Sequence, residues 1–182
     1  LAPDASSPTG QGGLTGAQRA AKLAEVITTL SGNGQNLLLS LNPSVLPTFG
    51  DADPLVTPLL RFGVTADTGR PLLQDRVTPR GRLVETDATI QVSSNDSTHP
   101  LAGAVRGLPT TFPWAIPLAQ RPSDEKVRLT FTPLYAIPAS GSVWSESQWL
   151  RLWQTPRDQR ALLPDLPTFD DGRDSRWPEG KA

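Results

Sequence analysis

Histidine occurs once, as His99 in STHPLAG, and cysteine not at all. A hydrolytic triad would have to be built around His99, yet no serine sits in the Gly-x-Ser-x-Gly turn that presents a nucleophile above a sheet. Its position beside Pro100 suits an exposed turn. Without Cys there are no disulfides, no thiolate nucleophile and no sulfur-ligated zinc. Carboxylates lie close in sequence at Asp51 and Asp53, at Glu85 and Asp87, and at Asp170, Asp171 and Asp174. A glycosidase holds two carboxyl groups about 5–9 Å apart in a cleft. Glu85 and Asp87, on one face of a strand, would come near that separation, but any solvent-facing antiparallel strand displays the same spacing, and that reading is preferred. The stretch DDGRDS (170–175) is acidic like a calcium loop but lacks the alternating order and the closing Glu. Phosphate-cradling glycine motifs are missing: SGNG reads as a helix stop and GQGG as part of a flexible arm. No catalytic residue, cofactor or metal is expected, and the chain is read as a non-enzyme.

The aromatic residues are more informative. Five Trp stand beside one Tyr: Trp114 in TTFPWAIP, Trp144, Trp149 and Trp153 in the late segment, and Trp177 in RWPEG. Each indole offers a rigid apolar face and a donor, which suits interaction surfaces and sugar-stacking platforms as well as small cores. These five are the candidate partner-binding residues, and Trp177, isolated in the tail, is the expected anchor for a neighbouring surface.

Composition limits the scaffold that positions them. The 182 residues suffice for one domain. Apolar residues make up 37 %, so the core should be modest, and 19 Pro with 15 Gly imply many turns. Seventeen basic and 18 acidic residues leave a net charge of −1, which gives no footprint for nucleic acid or an anionic membrane. Apolar runs are as short as Leu37 to Leu39, so no membrane span is expected. Methionine is absent even at position 1, so Leu1 is not expected to be the translation start.

Residues 1–13 (LAPDASSPTGQGG) read as a flexible arm. Thr15 and Gln18 form a capping box for a helix over 15–31, in which Ala20, Leu23, Ile27 and Leu30 recur at helical spacing and Gly32 is the stop. Strands are expected over 36–41, over 60–66 with Leu60, Phe62, Val64 and Ala66 on one face, near 72–78, over 82–92 and over 126–132. The long region 93–124 is either a functional loop or hides short strands. For 145–153, a capping box at Ser145 and Gln148 and the spacing of Trp149 and Trp153 favour a helix over a strand. From 156 to 182 the prolines and charges indicate an extended tail, leaving 14–155 as a single β-rich domain.

The stretch FGVTADTGRPLLQDRVTPRG (62–81) resembles the early hairpin of Ig-like modules in bacterial extracellular proteins. The resemblance implies a β-sandwich and says nothing about a site. The long central region departs from the regular strand spacing of such modules.

The expected fold is mainly β: an antiparallel sandwich or open barrel, Ig-like or jelly-roll-like, with an N-terminal helix and an extended C-terminal arm. The expected function is a structural or binding subunit of an extracytoplasmic assembly such as an envelope complex, surface layer or filament. Its terminal arms would contact protein neighbours or further copies of the chain. A virion structural protein and a carbohydrate-binding module are the alternatives.

Overall fold

The computed structural model describes residues 13–44, 53–77, 84–92, 99–121, 130–137, 139–148 and 167–177. The chain is mainly β, with strands in several antiparallel sheets and few helices. Helix α1 spans Gly16–Gly32, and the capping box forms as expected: Gln18 N–H donates to Thr15 Oγ1 at 3.2 Å, and Thr15 N–H to Gln18 Oε1 at 2.8 Å. The stop lies two residues later than the sequence suggests. Gln35 N–H reaches Leu30 O and Gly34 N–H reaches Ser31 O, the paired bonds of a Schellman turn. Gly34, at φ +71°, supplies the left-handed residue this turn requires.

Residues 36–41 form no strand. Their alternation is still used, because Leu39 and Leu41 lie on the cluster of Ala20, Ile27 and Leu55 while Leu38 is 100 % exposed. The strand expected over 60–66 shortens to β1 (Val64–Ala66), since Thr57–Leu60 winds into a short helix, α2, with Pro58 in its first turn.

Next come β2 (Leu72–Val77), β3 (Val84–Asp87) and β4 (Thr89–Val92). The single strand expected over 82–92 is thus broken at Ala88. Asp87 Oδ1 accepts the Thr89 N–H at 2.7 Å, a side-chain turn that redirects the chain. As a result β3 pairs with β2, whereas β4 pairs with β5 (Thr110–Pro113) in another sheet. The region 93–124 holds the short helix α3 (Pro100–Gly103), β5 and β6 (Leu118–Gln120). Residues 130–132 form no strand, and 126–129 lie outside the described residues.

Strand β7 (Val143–Ser145) ends where a helix was expected to begin, and Ser145 lies in the ladder opposite Leu72. Strand β8 (Ser175–Arg176), in the expected free tail, pairs with β7. The central sheet has the order β3-β2-β7-β8, with two-stranded sheets β1-β6 and β4-β5 beside it in the topology, and these sheets do not close into a barrel. The hairpin suggested for 62–81 is not formed, because β1 pairs with β6 while β2 pairs with β3 and β7.

Adjacent Leu72 and Leu73 point to opposite faces of β2, and both are buried. Leu72 joins Ile90, Val92 and Val143, and Leu73 joins Ala88 and Trp144. A sheet covered on both faces accommodates contiguous leucines, where a half-exposed one would alternate. Buried Asp53 fastens the α2 turn to the turn after β1: Oδ1 accepts Leu55 N–H at 2.9 Å and Oδ2 accepts the Thr68 hydroxyl at 3.0 Å.

Candidate functional site

Helix α1 buries only part of its apolar arc. Gly16, Ala20 and Ile27 are buried, and one flank borders α2 across a cleft lined by Ala21, Ala24, Thr28 and Pro58. Leu23, Val26 and Leu30, spaced i, i+3, i+7 beside that core-facing line, remain 44 %, 51 % and 38 % exposed. Beyond the Schellman turn the extended segment adds Leu37 and the fully exposed Leu38. Between this segment, the C-terminal half of α1 and α2 lies an apolar cleft of about 350 Å³, lined by Ile27, Leu37, Leu38, Leu39, Leu59 and Phe62. The described residues 26–44, which supply much of this surface, contain no Asp, Glu, Lys or Arg. Arg61, stacked over Phe62 at 5.2 Å, has a guanidinium nitrogen near Gly32 at the C-terminal end of α1.

The tryptophans singled out by sequence take other places. Trp144 is fully buried and donates its Nε1–H to Asp75 Oδ1 at 2.9 Å. Phe169 meets it edge-on at 5.6 Å, and the Arg176 guanidinium lies 3.6 Å from the centre of the Phe169 ring. Arg176 closes the loop with a 3.0 Å ion pair to Asp75 Oδ2. Trp177, read as an outward anchor, packs against the cluster of Leu72, Ile90, Val92 and Val143 in its own chain, with its N–H bonded to Val143 O. The tail turns inward because β8 pairs with β7 and the Trp177 N–H continues that ladder to Val143. Half-buried Trp114 packs against Leu73, Ala88 and Trp144, with its backbone at φ +53°. Trp149 and Trp153 lie outside the described residues.

Of the candidate chemistry, His99, Asp53, Asp87, Asp170 and Asp174 hold structural positions, and Asp51 lies outside the described residues. His99 caps α3, its Nδ1 accepting Leu101 N–H at 3.3 Å. Asp87 spends one oxygen on the corner at Ala88 and the other on Arg76 at 3.1 Å, while Glu85 is exposed opposite Arg76. In the acidic turn, Asp170 Oδ1 accepts Gly172 N–H, Asp174 Oδ2 accepts Asp170 N–H, and Asp174 Oδ1 accepts both the N–H and the hydroxyl of Ser147. Among the described residues no group of three His, Cys, Asp or Glu side chains could hold a metal ion. Among them, too, no helix is long and apolar enough to cross a membrane.

The open surface is thus made of aliphatic side chains, with Phe62 in the wall of its cleft, and none of the five tryptophans named from sequence belongs to it among the described residues. Two signals could have found it: three consecutive leucines at 37–39 and the uncharged span around them. Comparison with known proteins finds no matching family model, no similar curated protein and no similar solved structure.

Proposed function

We propose that the chain is a non-enzymatic structural or binding subunit of an extracytoplasmic assembly, and that it docks to a protein partner through the open flank of α1 and the segment carrying Leu37 and Leu38. The observation that carries this reading is the uncovered apolar stripe of Leu23, Val26 and Leu30 beside a fully exposed Leu38. Exposed apolar groups of this kind, gathered on one element and the segment following it, favour association over a water-facing role. Residues 167–177 are engaged with their own sheet, so the α1 surface replaces the C-terminal arm as the proposed contact. The absence of Cys fits the extracytoplasmic setting as well as it fits the cytosol. For the fold we propose a sandwich-like packing, in which β4 and β5 contribute Ile90, Val92 and Phe112 to a core shared with Leu72 and Val143 of the central sheet. A carbohydrate platform built on Trp144 is disfavoured, because this residue is buried and its indole donor is already committed to Asp75.

Site-specific photo-crosslinking in the source cells tests the reading. A benzophenone amino acid at position 38 should yield defined protein adducts. The same probe at Val77, 68 % exposed on β2, should yield few. Equal or absent adducts at position 38 would overturn the docking surface, and an envelope fractionation that finds the chain only in the cytoplasm would overturn the setting.

A further inference from the structure

We infer that Asn33 is a self-modifying residue, at which the Gly34 nitrogen displaces ammonia from the side-chain amide and leaves an acidic residue at the C-terminal end of α1. The inference is independent of the docking reading above and concerns the turn that closes the helix.

Of the four asparagines in the chain, Asn33 alone is followed by glycine. Closing a ring on the side-chain amide brings the next residue's nitrogen against Cγ, and a β-carbon on that residue crowds the approach. Gly34 has none, and nothing lies within 4 Å of the place where one would stand. Both residues are exposed, so water has access to the site. The neighbouring asparagines lack this arrangement. Asn36 precedes branched Leu37, and Asn42 precedes Pro43, whose nitrogen has no proton to lose.

The chemistry needs water alone. Gly34 N gives its proton to water or hydroxide and bonds to Asn33 Cγ. The Cγ–Nδ2 bond breaks, and Nδ2 takes up a proton from water and leaves as ammonia. Water then opens the five-membered imide at either carbonyl. Opening at Cγ gives aspartate on the original main chain, whereas opening at the main-chain carbonyl gives isoaspartate, with the main chain rerouted through Cγ. Overall, one water is consumed and one ammonia released.

The Schellman turn gates this reaction. Gly34 N–H is held by Ser31 O at 3.1 Å, and ψ of Asn33 is 8°, a near-helical value that keeps the nitrogen out of line with Cγ. Ring closure therefore requires that hydrogen bond to break and this dihedral to turn, an opening confined to the end of the helix. The product acts back on the turn. Isoaspartate adds a methylene to the main chain between Ser31 and Gln35, so the paired bonds from Gly34 to Ser31 and from Gln35 to Leu30 no longer close together.

Peptide mapping by mass spectrometry of the full chain, aged at neutral and at mildly alkaline pH with and without urea, tests the inference. Position 33 should become acidic, as two chromatographically distinct isomers, while Asn36 and Asn42 keep their amides. The rate should rise with pH, because the attacking nitrogen must lose its proton. Unfolding in urea should speed the reaction roughly tenfold, the scale of a local opening rather than a global one. Asn33→Gln, which would need a larger ring, should stay unmodified over the same period and, at an exposed position, fold like the wild type by circular dichroism. Hydrogen exchange at the Gln35 amide should be faster in the aged wild type than in aged Asn33→Gln. A folded chain that keeps its amide at position 33 while the unfolded chain loses it overturns the inference, as does conversion no faster than at Asn36. Equal rates with and without urea overturn the gate, and unchanged exchange at Gln35 overturns the effect on the turn.

Discussion

The clasp around Trp144 and the flank of α1 are built on opposite plans. In the clasp, aromatic rings and charges are consumed internally: Asp75 receives both the Trp144 indole and Arg176, while Phe169 lies between the Trp144 ring and the Arg176 guanidinium. Along α1 the side chains are plain aliphatics, and half the apolar arc faces outward. The contrast shows that residue type is a poor guide to where a surface is free. Tryptophans, with the largest area to bury, are drawn into the chain's own core first. The leucines left over on a helix flank are what remain for a partner.

This comparison breaks most sharply at Trp144. Trp144→Ala should lower the free energy of unfolding by about 3–5 kcal/mol, because it empties a fully buried site and takes the indole donor from Asp75 Oδ1. Its association, measured under conditions where it stays folded, should equal that of the wild type. Substitutions at Leu38 should show the reverse pattern, with stability held and association lost. A Trp144→Ala loss below about 1 kcal/mol in urea denaturation would mean that the clasp does not close the core.

A smaller effect separates packing from backbone strain at Trp114, whose φ of +53° is unusual for a bulky residue. The twist lets Trp114 N–H reach Ala88 O at 2.8 Å, continuing the β4–β5 ladder through the corner at Ala88. Trp114→Ala and Trp114→Gly both lose the ring, but only alanine keeps the left-handed penalty. The glycine variant should therefore be the more stable of the two by about 0.5–1 kcal/mol after its own entropic cost. Equal midpoints in chemical denaturation would show that the strain is relieved by relaxation of the turn.

What the sequence disclosed was local. The capping box of Thr15 and Gln18 needs only residues three apart, and it forms as read. The helix stop was misplaced because two glycines were available and only the bonds to Leu30 and Ser31 decide between them. The alternation from Val84 to Val92 runs unbroken through Ala88, so nothing periodic marked a corner made by a single carboxylate, Asp87. Pairing was the least legible feature. Leu72 and Leu73 gave no hint that β7 and β8, far along the chain, would flank β2 on one side. For the site, the search for distinctive chemistry led to indoles, while the open surface lay in aliphatic residues expected from sequence as a helix stripe and a strand over 36–41.

A prediction of comparable size lies within the clasp itself, at two serines with opposite expected signs. Ser147 is matched: its N–H and hydroxyl both donate to Asp174 Oδ1, at 3.1 Å and 3.2 Å. Ser145, in β7, is fully buried, and its Oγ has no hydrogen-bond partner among the described residues. A buried hydroxyl that has given up water without a replacement bond is a standing cost, whereas a matched one is a modest gain. Ser147→Ala should therefore destabilise by about 0.5–1.5 kcal/mol, while Ser145→Ala should be neutral or stabilise by up to about 1 kcal/mol. Thermal unfolding of the two variants side by side decides the matter. If Ser145→Ala proves the worse of the pair, its hydroxyl is bonded in solution, and the core between β2 and β8 is more polar than its side chains indicate.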